Sequence, residues 1–298
     1  MRYVLSLLFA VCVAFGADSA EEAFNRGLAA HNRGDYQDAI KQYTQAIKID
    51  PKDAAAYYNR GGAYDDLGDR KQAIADYTQA IKIDPKDAMT YYNRGNAYEN
   101  LGDKNKAIAD YTETIKIDPN YAMAYNNRGI AYADVGDYHS ASADYNQAIK
   151  IDSNLAKAYN NRGVAYLILG DHKQAIADYT EAIKIDPKDA KAYNNRGLAY
   201  KNLGDTSKAI ADYDQAIKID PNHTPAYNNR GNAYSDLGDK SKAIADYTQA
   251  IKIDPKYAEA YYNRGIAYAL LNDLKSATKD ARKACELGEC KLLGILGE

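Results

Sequence analysis

Residues 54–87 read AAAYYNRGGAYDDLGDRKQAIADYTQAIKIDPKD, and this stretch decides the fold. Tyr57, Gly61 and Tyr64 stand at helical spacing, on one stripe. Leu67-Gly68-Asp69 breaks the stripe: Gly68 suits a helix end, and Asp69 with Gln72 three residues on resembles a capping box for a second helix. Ala73, Tyr77 and Ala80 form the second stripe, and Asp84-Pro85 stops it, because proline cannot continue a helix and restricts the residue before it. Asp87 is placed to cap the helix that follows. The stretch therefore predicts a helical hairpin in which Gly61 and Ala73 let two backbones approach while Tyr64 and Tyr77 fill the space beside them.

The same hairpin is written eight times. Ile-Asp-Pro recurs with proline at 51, 85, 119, 187, 221 and 255, always 34 residues or twice 34 apart, and Ser153 stands where the missing proline belongs. The repeats start at Ala20, Ala54, Ala88, Ala122, Ala156, Ala190, Thr224 and Ala258. The array is expected over 17–290 and a tail over 291–298, with no linker or second domain between repeats. One hairpin cannot stand alone: ordering costs about 1.5 kcal/mol per residue, whereas each large buried side chain contributes about 1.5–3 kcal/mol. Stacking covers both stripes and makes stability a nearest-neighbour sum.

The period and its residues resemble the tetratricopeptide repeat. In residues 156–189 the matching positions are Tyr159, Gly163, Tyr166, Ala175, Tyr179, Ala182 and Pro187. Tyrosine replaces the usual tryptophan at repeat position 4, and arginine the usual leucine at position 7. Ala23 and Ala30 in the first repeat, and Ala281 in the last, replace aromatics as terminal caps would. The resemblance implies an all-α, right-handed superhelical solenoid of eight 34-residue helix-turn-helix repeats, with the first helices lining a concave groove.

Arginine at position 7 (Arg26, Arg60, Arg94, Arg128, Arg162, Arg196, Arg230 and Arg264) adjoins the packing glycine, where a lone buried charge is costly. Position 23 supplies aspartate in seven repeats and Gln42 in the first. Pairs such as Arg60 with Asp76, Arg128 with Asp144 and Arg264 with Asp280 are expected to join the helices, within a repeat or between neighbours. The other reading of this row is a basic ladder for phosphates.

Position 6 is asparagine throughout: Asn25, Asn59, Asn93, Asn127, Asn161, Asn195, Asn229 and Asn263. Position 5 adds Asn126, Asn160, Asn194 and Asn228. A primary amide can satisfy both groups of a peptide bond, so this row either holds an extended peptide by its backbone or contacts neighbouring helices. The first reading is similar to the asparagine ladder in the repeat region of O-GlcNAc transferase. Asp65, Asp66, Glu99 and Asp134 make one half of the groove acidic, Ile130, Val164, Leu167, Ile168 and Leu198 make an apolar middle, and Lys157, Lys191 and Lys201 add positive charge. Leu167 and Ile168 stand at mainly polar positions and mark a candidate partner site. Position 6 is never basic, so the family's two-carboxylate clamp for chaperone C-termini is not expected.

Arg2 followed by the apolar run 3–15 and Ala14-Phe15-Gly16 reads as a signal peptide over 1–16, cleaved before Ala17; an uncleaved anchor or lipidation at Cys12 are the rival readings. The expected location is therefore the periplasm or the exterior. Cys285 and Cys290, with Gly288 as the turn, form a candidate disulfide. His31, His139, His172 and His223 are scattered, so no metal or cofactor site is expected. A net charge of −3 with 27% charged residues excludes a strongly basic nucleic-acid binder, and 29 Tyr against 3 Phe and no Trp is the imprint of one copied unit. These features imply a non-catalytic scaffold that binds a peptide or protein in its groove. The rivals are a structural spacer and an RNA-binding solenoid.

Overall fold

The computed structural model describes residues 19–296. The signal-peptide reading of 1–16, the site before Ala17 and Cys12 lie outside the described residues. Among these residues there are seventeen α-helices and no strand. They divide into two compact units, one up to Asp137 and one from Tyr138. In the first unit are α1 (Ala20–Asn32), α2 (Tyr36–Ile49), α3 (Ala54–Asp66), α4 (Arg70–Ile83), α5 (Ala88–Asn100), α6 (Lys104–Ile117) and α7 (Ala122–Asp134). The second holds α8 (Tyr138–Ile151), α9 (Ala156–Ile168), α10 (His172–Ile185), α11 (Ala190–Asn202) and α12 (Thr206–Ile219). It continues with α13 (Thr224–Asp236), α14 (Lys240–Ile253), α15 (Ala258–Leu270), α16 (Leu274–Glu286) and α17 (Lys291–Ile295). Within each unit consecutive helices pack as hairpins and each hairpin packs on the next, so the chain is all-α and built from stacked pairs.

The punctuation acts as the residues dictate. The Asp69 carboxylate accepts the Gln72 N–H at 3.2 Å, and Asp87 accepts the Met89 N–H at 3.1 Å. A reciprocal capping box that sequence reading missed lies at Ser19 and Glu22. Gly68 turns the chain out of α3 with φ +91°, and in the last repeat Asn272 takes the same left-handed role with φ +59°.

The core is alanine and tyrosine. Tyr43, Tyr77, Tyr111, Tyr179, Tyr213 and Tyr247 are buried, each against the position-8 glycine of its own hairpin. A Cβ on Gly197 would lie 2.7 Å from Tyr213 Cε1 and 3.1 Å from the Ala209 carbonyl oxygen. Because one of those neighbours is backbone, Gly197→Ala is expected to cost about 1–3 kcal/mol through overpacking. A urea titration checks this, and an unchanged midpoint refutes it.

The last repeat has Ala281 where the others have this tyrosine. The tail supplies the missing volume: Leu292 of α17 is buried, and its Cδ2 occupies the space above Gly265 that a tyrosine ring fills elsewhere. Gly288, at φ +103°, turns the chain back, and the Cys285 and Cys290 sulfurs are bonded, tying α17 to the end of α16. The tail thus covers the end of its own unit.

Candidate functional site

The position-7 arginines are staples, and the structure shows which bonds they make. Arg60 donates from Nε and Nη2 to the two oxygens of Asp76, both at 2.7 Å, and from Nη1 to Thr44 Oγ1 of the preceding repeat at 2.9 Å. Arg264 does the same with Asp280, at 2.7 and 2.9 Å, and with Thr248 at 2.9 Å. The carboxylate pair therefore lies within a repeat, and a position-25 hydroxyl carries the bond between repeats. Asp76, Asp110, Asp178, Asp212, Asp246 and Asp280 are buried. Bidentate hydrogen bonding to Asp212 raises the Arg196 pKa above its ordinary value. Each ring at position 4 adds a cation–π contact, as where the Arg60 guanidinium lies 5.6 Å from the Tyr57 centroid. Arg26 meets Gln42 Oε1 at 3.0 Å. Arg128, in the first unit, donates to Thr112 Oγ1 at 3.0 Å, and Asp144 is buried in the second. A row engaged in this way is structural rather than a ladder for phosphates. The position-25 residue escaped the sequence reading, although Thr44, Thr78, Thr112, Thr180 and Thr248 recur in register.

The asparagine row is largely engaged too. Asn93 donates to the Tyr58 hydroxyl at 2.8 Å, Asn127 to the Tyr92 hydroxyl at 3.0 Å, Asn229 to Asn194 Oδ1 at 3.0 Å and Asn263 to Asn228 Oδ1 at 3.0 Å. Position 6 of one repeat thus bonds to position 5 of the repeat before it. Asn59 turns onto its own helix, donating to the Ala55 carbonyl at 2.8 Å, and Asn25 is exposed. Asn126, Asn194 and Asn228 are buried, and Asn161 and Asn195 are half-buried. Of the two readings of this row, these bonds are of the second kind: first helices approach closely enough for position 6 to reach position 5 of the repeat before, so much of the row links repeats.

The acidic residues of the first unit are also met from within. His31 Nε2 lies 2.8 Å from Asp66 Oδ2, and Lys104 Nζ lies 3.2 Å from Glu99 and 2.5 Å from Asp134. Burial raises the Asp65 carboxyl above its ordinary pKa.

The first, fifth and sixth repeats differ. At position 9, Asn96 and Asn232 accept the hydroxyls of Tyr111 and Tyr247, at 2.8 and 2.7 Å. Leu28, Val164 and Leu198 stand at that position in repeats one, five and six and cannot accept. The Tyr43, Tyr179 and Tyr213 hydroxyls, all buried, make no hydrogen bond among the described residues, and in repeat five neither does Asn160 Oδ1. Asn160 occupies the register of Tyr58 and Tyr92, whose rings lie 5.9 Å from Tyr77 and Tyr111, so by register it adjoins Tyr179. Ile168 at the end of α9 is 53% exposed. Leu167 is half-buried and packs with Val164 against Ala175, Tyr179 and Ala199, so of the two apolar residues singled out from sequence only Ile168 is open. Lys157 and Lys191 are exposed, and Lys201 pairs with Asp236 at 3.2 Å.

Among the described residues no group of three or more His, Cys, Asp or Glu is placed to hold a metal ion, and no helix is long and apolar enough to cross a membrane.

Known proteins place this arrangement. A family model described as "TPR repeat" matches residues 27–68, 63–102, 131–170 and 231–272, more than half of the chain. Models described as "Tetratricopeptide repeat" match 88–121, 156–189 and 190–223, then 111–141 and 212–245, and finally 258–287. No curated protein matches the sequence. Among solved structures, a tetratricopeptide repeat protein from Parabacteroides merdae is 22% identical, with a TM-score of 0.63 over 86% of this chain and 98% of that one. MamA is 30% identical, with a TM-score of 0.52 over 55% of this chain and 96% of that one. YrrB, described as a TPR protein with an unusual peptide-binding site, is 24% identical, with a TM-score of 0.53 over 62% and 95%. By its repeat period, its hairpin packing and these matches, the chain belongs to the tetratricopeptide repeat family.

Proposed function

We propose that this protein is a scaffold that holds an extended peptide or a protein segment on the first-helix face of repeats five and six. Tetratricopeptide arrays are in general non-catalytic scaffolds for protein–protein interaction. One observation carries the narrower reading: buried Tyr179 OH and Tyr213 OH, with Asn160 Oδ1, make no hydrogen bond among the described residues, in repeats whose α9 also exposes Ile168. Buried polar groups are nearly always paired, so hydroxyls and an amide oxygen in this state suit a ligand that brings peptide N–H and C=O groups. Ile168 is the apolar anchor, and Lys157 and Lys191 favour acidic residues at its flanks. The Cys285–Cys290 bond and the signal-like residues 1–16 support work outside the cytoplasm, since disulfides persist in oxidising compartments.

The test is a displayed peptide library selected on the wild-type protein, with the winners re-measured on Ile168→Asp and Asn160→Leu. Each variant is expected to lose affinity about tenfold or more, as loss of one anchoring contact of about 1.4 kcal/mol implies, with an unchanged melting temperature. Winners that bind both variants as tightly as the wild type remove the proposal. Leu167 is left untouched because it packs in the core.

A further inference from the structure

The last hairpin carries a pocket that the repeat pattern does not call for. It has a volume of about 880 Å3 and lies among Ile251 of α14, Tyr261 of α15, and Lys275, Thr278, Lys279 and Arg282 of α16. It is formed by second helices and the arginine side of α15, apart from the asparagine row.

Its origin is legible residue by residue. Position 21 is isoleucine in six repeats, as at Ile176, Ile210 and Ile244, where the side chain packs against a buried alanine and tyrosine of its own hairpin and an alanine of the next. In the last repeat that position is Thr278, which lacks the terminal carbon of isoleucine and so reaches one atom less far, and the space opens. Position 22 is alanine in the six middle repeats and becomes Lys279. Position 25, which elsewhere accepts the arginine of the following repeat, becomes Arg282 in the last repeat. The substitutions thus hollow one place and surround it with positive charge.

The two acids in the pocket wall are engaged by residues other than Lys275 and Lys279. Asp280 is held by both Nε and Nη2 of Arg264, and Glu286 is paired with Lys283 at 2.9 Å. Lys275 and Lys279 are exposed one helical turn apart, on the same face. Ile251, Tyr261 and the Thr278 methyl group provide apolar wall. A small hydrated anion would use the lysines and leave the wall in water, while a neutral apolar molecule would leave the lysines unanswered. The volume is in the range of sites for single ligands of lipid or drug size.

We propose that this pocket binds an anionic amphiphile: a carboxylate on an apolar chain, its head on Lys275 and Lys279 and its chain against Ile251, Tyr261 and Thr278. The concavity favours one inserted chain over a bilayer surface, which could reach only the rim.

The experiment is calorimetric titration of the full chain with dodecanoate below its micelle concentration. Parallel titrations use dodecanol, acetate, inorganic phosphate, anionic vesicles and a Glu/Leu-rich peptide. Dodecanoate is expected to bind one to one, at least tenfold more tightly than dodecanol, acetate or phosphate. Thr278→Ile, which restores the residue six other repeats carry, is expected to weaken dodecanoate at least tenfold while the melting temperature holds or rises. The double variant Lys275→Gln with Lys279→Gln is expected to weaken it by a similar factor and decides the matter should Thr278→Ile fold poorly. Dodecanoate binding that survives in both variants overturns the proposal. So does saturation by acetate or phosphate alone, or binding of only the vesicles or only the peptide.

Discussion

Raising the pH above about 10 should unfold this protein sharply rather than ionise its tyrosines one by one. Burial disfavours the phenolate, so the pKa of Tyr43 is pushed up to about 12, and those of Tyr77, Tyr111, Tyr179 and Tyr213 are raised further by the same cause. In the unfolded chain each titrates near its ordinary value of about 10. The folded pKa is the higher one, so the stabilisation is complete below about pH 10 and is lost as pH climbs towards the folded values. Each such tyrosine removes about 1.4 kcal/mol per pH unit across that window, and Tyr77, Tyr111, Tyr179 and Tyr213 together remove about 5 kcal/mol per unit. A net stability of about 5–15 kcal/mol is then spent within about one to three pH units. Helical circular dichroism and tyrosinate absorbance should change together in one steep step. Gradual ionisation of all 29 tyrosines with helicity retained to pH 12 would sink this expectation.

Removal of one staple carboxylate should rank next. In Asp76→Ala, Arg60 loses two charge-assisted bonds of 2.7 Å and keeps only its bond to Thr44 and its contact with the Tyr57 ring. Its side chain is 17% exposed, too little for water to replace the carboxylate fully. An uncompensated buried charge costs about 3–5 kcal/mol, so the urea midpoint should fall steeply. Removing both charges with Arg60→Met and Asp76→Leu should recover much of the loss, because the buried pair also carries the cost of desolvating two ions. A single variant that melts with the wild type would show that the pair contributes nothing; a double variant as weak as the single would place the loss in packing instead.

Both effects arise from residues that the repeat register had already put together. Arg60 could be matched with Asp76 from sequence, and Gly61 placed where the two helices approach, because a fixed 34-residue period makes each position report on seven others; that Tyr77 lies directly on Gly61 is seen in the structure. The fold followed for the same reason: local glycine, aspartate and proline signals agree in every copy with the stripe they punctuate. The site was legible only in part. Asn93 and Asn229 look alike in sequence, yet whether an amide faces a ligand or the next helix depends on how closely first helices approach. The structure sends these two to Tyr58 and Asn194. Leu167 and Ile168 are neighbours of similar apolarity, and a rotation of about 100° around the helix separates a packed side chain from an exposed one.

The repeat unit, the helical hairpin and the choice of aspartate as the arginine's partner were therefore legible in the sequence, because each recurs in register; that the pair closes within a repeat and that the tyrosine ring lies on the glycine came from the structure. Three things belong to tertiary structure: the placing of Leu292 above Gly265, the Tyr179 and Tyr213 hydroxyls without a hydrogen bond among the described residues, and the opening beside Thr278. Each depends on the exact space left between helices, which is set by the packing of several side chains at once and is written in no single repeat.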